Sequence, residues 1–192
     1  DNQVANKIFL SGRDLLPTLI PIGQYKTLIF IARKRKTTPN PSISVTNASN
    51  IDINELLEFL NKEGSKKQFF PVYKQEHFLN NQTDILKGIE LNKIYVAHNK
   101  KRIVGTLGVW DHSAFRQWML YTKNTFSFIR PMVNLYSTIK GIPRIPQGKK
   151  IVPCRYCSLI CIENENRDIF ETLFNHAVNQ EVALGKGALL IL

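Results

Sequence analysis

The chain has 192 residues, 43% of them hydrophobic, and 26 Lys/Arg against 15 Asp/Glu give it a net charge of +11. That length and apolar content suffice for one substantial core and exclude a globally disordered chain. No apolar run approaches the roughly 18–20 residues of a membrane-spanning helix, so no span is predicted. The sequence opens on Asp1 rather than Met, which fits a trimmed chain or a fragment. Charge is unevenly placed. Residues 1–36 carry seven Lys/Arg and two acids, and residues 112–162 carry eight and none, whereas 37–111 holds nine against eight and 163–192 two against five. Two basic regions predict an anionic partner: a cofactor phosphate, an acidic protein, nucleic acid or a lipid surface. A basic face kept for solubility is the alternative.

In chain order, residues 7–32 hold two apolar segments, KIFLSG and YKTLIFIAR, around Pro17 and Pro21, which disfavour a continuous helix. Their β-branched and aromatic content predicts strands. The basic run 33–36 and the two prolines within 37–42 mark a linker. Residues 1–36 are therefore expected to be a separable strand-forming piece, in one reading the tail of a preceding domain, and 43–192 the main domain. Ile43 and Val45 alternate as a short strand. Asp52, three residues before Glu55, resembles a capping box. Ile53, Leu56, Leu57 and Leu60 follow at helical spacing and predict a helix from Ile53 to Lys62. Residues 66–79 are aromatic-rich and irregular, and 84–91 reads as a short helix.

Two alternating apolar runs, 94–97 and 103–110, flank the polar turn Asn99-Lys100-Lys101-Arg102 and predict a β-hairpin. Gly105 and Gly108 lie inside its second strand, where glycine marks a bulge or a close approach of neighbouring chain. Residues 119–150 mix aromatics with Lys and Arg; a helix is expected near 132–140, before GIPRIPQGKK breaks regular structure. Residues 152–163 read as a strand and 167–184 as an amphipathic helix through Ile169, Phe170, Leu173, Phe174, Ala177 and Val178. Gly185 and Gly187 are expected to end it, and 188–192 reads as an apolar strand.

Cys154, Cys157 and Cys161 are the three cysteines. Their C-x2-C-x3-C spacing invites a metal reading, but on a strand Cys157 and Cys161 would share one face with Cys154 on the other. With no obvious fourth ligand elsewhere, buried apolar side chains and no metal are expected. Unpaired thiols this close fit a reducing, cytoplasmic setting.

Three stretches carry a family resemblance. KIYVAHNKKRIVGTLGVWD resembles the central hairpin of the GNAT (N-acetyltransferase) superfamily, RYCSLICIENEN its following strand, and RDIFETLFNHAVNQEVALGKGALLIL its cofactor helix and next strand. The resemblance spans roughly three quarters of the chain. It implies an α/β (α+β) fold with a mixed, mainly antiparallel sheet flanked by helices, acetyl-CoA or another acyl-CoA as cofactor, and transfer of the acyl group to an amine. The family places the cofactor's pyrophosphate on a helix start reading Q/R-x-x-G-x-G/A. Here Asn164-Glu165-Asn166-Arg167-Asp168 stands instead, the mark of a degenerate member. The family's last strands, which commonly supply a catalytic tyrosine, would follow the final residues of this chain; a tandem arrangement, or strands from 1–36, would supply them.

The resemblance and the chemistry together name candidate residues. Amide formation needs a base for the amine and an acid for the leaving thiolate. Glu163 at a strand end is the candidate base. Asp111 and His112 end the hairpin and are expected to line the same cleft, with Arg116 and Gln117 behind them, and Tyr25 is a candidate acid. Phosphates are expected at the amides of Arg167 to Phe170, because a helix start presents unpaired N–H donors. Arg167 would add a charge, with Ile162, Asn164, Asn166, Asp168 and Ile169 completing the cofactor set. The partners implied are a small-molecule or protein amine, an acidic acyl carrier protein as alternative donor, and a second copy in a homodimer. A non-catalytic module binding a ligand or protein is the competing function. Nucleic acid is third, since aromatic–basic interleaving suits base stacking but no nucleic-acid motif accompanies it.

Overall fold

The hairpin forms where alternation places it. In the computed structural model, which describes residues 7, 26–35, 40, 42–79, 85–122, 128–140, 144–145, 147–184 and 189–191, β3 (Ile94–Asn99) pairs antiparallel with β4 (Arg102–Asp111) across a turn whose Lys100 has φ 59°. β2 (Ile43–Asn47) pairs antiparallel with β3, and β7 (Cys154–Ile162) antiparallel with β4. β8 (Leu189–Ile191) lies parallel to β7, and β1 (Ile29–Ile31) closes the edge antiparallel to β8. The order is β1-β8-β7-β4-β3-β2. The sheet is mixed and mainly antiparallel, with helices on both faces.

Helix α1 (Ile53–Gly64) starts on Asp52, whose carboxylate accepts from the Asn54 amide at 2.9 Å, and it places Leu56 and Leu60 against one face. Tyr73, Phe78 of the short α2 (Gln75–Leu79), Leu86 and Ile89 complete that core. Residues 84–91 do not form the expected helix. Residues 85–88 make a turn in which Gly88 adopts φ 80°, a backbone state that ends helical geometry. Helix α4 (Arg167–Ala183) covers the other face through Ile169, Leu173, Phe174, Ala177 and Val178. Its seat depends on Gly105: a Cβ there would stand 2.7 Å from Ile169 Cγ2 and 3.0 Å from Leu173 Cδ1.

The expected strand over 152–163 is two strands. Pro153 carries no N–H and divides β6 (Gly148–Val152), which pairs with β5 (Trp118–Thr122) in a separate ribbon, from β7 in the main sheet. Helix α3 (Arg130–Lys140) lies between the two ribbon strands in sequence. The cysteine expectation is corrected by a β-bulge. Leu159 has φ 51° where the β4–β7 register slips between Thr106 and Gly108, so alternation is interrupted. Cys157 consequently packs toward the α4 core and Cys161 into the α1 core, on opposite faces. Among the described residues no group of three or more His, Cys, Asp or Glu is placed to hold a metal, and no helix is long and apolar enough to cross a membrane.

Candidate functional site

The end of β7 and the start of α4 form the first candidate region. Arg102, at the turn end of β4, meets Glu163 with both guanidinium nitrogens, the second contact at 2.9 Å. This hydrogen-bonded guanidinium holds the Glu163 carboxyl below the usual carboxylate range, against a smaller opposing effect of burial. Glu163 is thus an ionised, pinned group and a weak base. The pair walls a cleft of about 230 Å³ with Glu55, Glu58, Phe59 and Lys62 of α1.

Beyond Glu163 the chain turns through Asn164 and Glu165, at φ 51° and 52°. Asn164 tolerates that left-handed state, and Glu165 pays about 1 kcal/mol for it. Asn166 then caps α4, its side-chain oxygen accepting from the amides of Asp168 at 2.9 Å and Ile169 at 3.3 Å, while the Phe170 amide donates to the Asn166 carbonyl. Three of the four amides expected to receive phosphate are therefore already partnered. Arg167 turns its Nε to Glu171 at 2.7 Å on the exposed helix surface. The side chains of Ile162 and Ile169 are buried, and Phe170 stacks on Phe174 with ring centroids 5.7 Å apart.

Asp111 and His112 do not line this cleft. In the antiparallel β4–β7 pair Ile162 lies opposite Gly105, whereas Asp111 lies opposite Arg155. Six strand residues, about 20 Å at 3.3 Å each, separate the two ends. Asp111 accepts from Arg155 at 3.0 Å and from the Ser113 amide at 2.9 Å. Arg155 in turn faces Glu181 at 3.7 Å, and Lys93 donates to Glu181 at 3.0 Å. Glu181 is 1% exposed and Arg155 7%. This chain of charges lines a second cleft, of about 260 Å³. Beside it Tyr95 is pushed up to about 12, by burial first and by Glu181 second.

His112 sits in an aromatic stack: Tyr156 lies parallel at 4.3 Å, Trp110 edge-on at 4.5 Å and Phe115 at 4.8 Å. Arg116 covers the rings of Tyr156 and Trp118. Both His112 ring nitrogens are buried without a hydrogen-bond partner. Burial lowers its pKa, helped by Arg116 and opposed by Asp111, so the surroundings disfavour the charged ring. Tyr25, Gly185 and Gly187 lie outside the described residues.

No protein-family model matches the chain, and no curated protein matches it. Among solved structures it is similar to a candidate acetyltransferase from Pyrococcus horikoshii at 12% identity and a TM-score of 0.39, over 79% of this chain and 38% of that one. A GCN5-related N-acetyltransferase from Kribbella flavida aligns at 11% and 0.39, over 77% and 29%. An agmatine N-acetyltransferase, a serine-to-alanine mutant in its apo form, aligns at 15% and 0.38, over 76% and 72%. The chain thus spans well under half the length of the first two. All three carry the name acetyltransferase, the first as a candidate and the second as GCN5-related.

Three features of the site escape sequence reading. The Arg102–Glu163 pair joins residues 61 positions apart, which only the strand register brings together. The Lys93–Glu181–Arg155–Asp111 chain needs β4, β7 and α4 assembled. The left-handed Leu159 sits in an almost wholly apolar run, where no polar alternation exposes a slip.

Proposed function

We propose that this chain is an N-acyltransferase that moves an acyl group, most simply acetyl, from a pantetheine thioester to an amine. The observation that supports it is the course of β7, from its parallel pairing with β8 to the start of α4. β8 lies parallel to β7 over Cys154–Tyr156, and β7 runs on from there to Ile162. Backbone groups of Cys157 to Ile162 would pair with the two amides of a pantetheine arm, which would add to the sheet as an extended segment does; the Ile160 carbonyl already accepts from Lys67 Nζ at 3.2 Å. The bulge at Leu159 falls in the pairing of β7 with β4, and the turn into α4 follows Ile162.

Direct transfer fits the residues better than a covalent acyl-enzyme. Burial pushes the Cys157 thiol up to about 12 and Cys161 up to about 11, so neither supplies a thiolate near neutral pH. In direct transfer the amine attacks the thioester carbonyl, the carbon–sulfur bond breaks, and the thiolate departs with a proton. Amides at the β7 edge would steady the oxyanion. Glu163, held ionised by Arg102, would orient the incoming amine more readily than deprotonate it.

The donor is an acyl-CoA or an acyl group on an acidic carrier protein. A carrier's arm has no nucleotide pyrophosphate and makes no demand on the capped start of α4. The test is calorimetric titration with acetyl-CoA, paired with thiol release on adding amines. Micromolar binding with amine-dependent thiol release supports the reading. No binding at millimolar concentration, with no release from acetyl-CoA or from an acetylated carrier protein, sinks it. The second reading, a non-catalytic module, has the filled cap of α4 in its favour.

A further inference from the structure

Helix α3 is turned inside out. An amphipathic helix normally places its apolar stripe on the protein and its polar face in water. In α3 the side turned inward carries Ser137, which is buried, with Arg130, Val133 and Asn134 partly so. The outward side carries Met132, Leu135, Tyr136 and Ile139, each between 57% and 74% exposed, and Phe128 just before the helix is 91% exposed. Hydrogen bonds tie the helix to the segment that follows it. Asn134 Oδ1 accepts from the Ile145 amide at 2.7 Å, its Nδ2 donates to the Ile145 carbonyl at 3.1 Å, and Arg144 Nε donates to Thr138 Oγ1 at 3.1 Å.

The charge around this stripe has one sign. No acid occurs anywhere in residues 112–162. Arg130 and Lys140 bracket the helix, and Lys140 shares a groove with Arg33, Lys34 and Arg35 from the other basic region of the sequence. The two basic regions therefore meet beside α3. Arg35 is anchored there by its backbone, which donates to Asn179 at 2.8 Å, and by its guanidinium, 5.0 Å from the Phe174 ring centroid.

We propose that α3 and the adjoining basic groove dock the protein onto an anionic lipid surface. The helix would lie in the interface with Phe128, Met132, Leu135 and Ile139 entering the acyl boundary. Arg130, Lys140, Arg33 and Lys34 would meet lipid phosphates, and Tyr136, with Lys140 5.9 Å from its ring, would sit at the water boundary. Eleven residues make a helix about 16 Å long, which lies on a bilayer and does not cross it. A second copy of the chain fits worse, because a symmetric contact would press two all-basic surfaces together.

The test uses the full chain and two kinds of vesicle, phosphatidylcholine alone and phosphatidylcholine with about one third phosphatidylserine. Co-sedimentation with the anionic vesicles is expected, about tenfold or more weaker on neutral ones and weakened again by about 0.5 M salt. Leu135→Asp and Ile139→Asp should each reduce binding by about tenfold or more. Both side chains are exposed, so thermal unfolding should not change. Arg33→Glu combined with Lys140→Glu should abolish the preference for phosphatidylserine. The proposal fails if the wild type ignores anionic vesicles, or if Leu135→Asp binds them as well as the wild type does. It fails equally if light scattering finds a dimer that Leu135→Asp dissociates, which would make a second copy the cover. Binding to polyglutamate as tight as to vesicles, and indifferent to Leu135, would replace the lipid with an acidic protein.

Discussion

Gly105 and Ile169 touch where a side chain on the glycine could not fit: its Cβ would stand 2.7 Å from Cγ2 of the isoleucine. Ile169 is β-branched and lies in the first turn of α4, so its methyl cannot swing aside without moving the helix. Gly105→Ala is expected to lower stability by about 1–3 kcal/mol, as overpacked core sites do. Urea unfolding measures it, and an unchanged midpoint would mean that α4 can lift off β4 at no cost.

Glu181 supports a different kind of change. Removing it as Glu181→Ala leaves Arg155, only 7% exposed, without one of its carboxylates, and a loss of about 3 kcal/mol or more is expected. Replacing both partners, with Glu181→Leu and Arg155→Met together, should recover most of that loss, since two apolar groups need no pairing. The double-mutant cycle read by denaturant unfolding separates the coupling from the single effects.

The turn into α4 can be relaxed by glycine. Glu165→Gly removes a left-handed penalty and should stabilise the fold by about 1 kcal/mol, less the extra freedom glycine gives the unfolded chain. Asn166→Gly costs only a few tenths of a kcal/mol as a cap while freeing the amides of Asp168 and Ile169. On the acyltransferase reading, the Asn166→Gly protein should bind acetyl-CoA more tightly than wild type in calorimetry. Equal affinity would place the donor's phosphates elsewhere.

Stability should fall with acid in two stages. His112 and His176 both have pKa values lowered by burial. The unfolded chain therefore takes up their protons first, and stability drops as pH falls from about 6.5 toward the folded-state values. Glu163 is lowered by Arg102, so its contribution is fully present above about pH 4.5 and is lost as pH falls further through its folded value. Urea midpoints measured from pH 7 to pH 3 should show both stages. His112→Phe should flatten the first only in part, leaving the share of His176, and Glu163→Gln should flatten the second.

Much of the fold could be read from spacing because its pattern is local. The hairpin follows from alternation around a polar turn, α1 from Asp52 and the leucines after it, and α4 from the stripe running from Ile169 to Val178. The candidate site was less legible. Glu163, Asp111 and His112 all sit at strand ends in the sequence, but only the antiparallel register of β4 and β7 shows that they are opposite ends. Asn166 was visible as a polar residue before a helix, yet whether its oxygen turns to the amides or away from them depends on the backbone at Asn164 and Glu165. The outward stripe of α3 was hidden for the opposite reason: periodicity gives a helix its two faces and does not say which one meets water.

The pairing of β1 with β8 has a consequence for how the protein is made. Ile29 lies opposite Ile191, so the edge of the sheet joins residues about 160 positions apart, a contact of high order that forms slowly. At ribosomal rates of about 5–20 residues per second, the β1 segment emerges roughly ten to thirty seconds before its partner. Through that interval its row of backbone donors and acceptors has no native strand to meet. Newly made chains are then exposed to one another through Leu28, Ile29 and Ile31, and slower translation of the stretch encoding residues 128–191 should lower the yield of soluble protein.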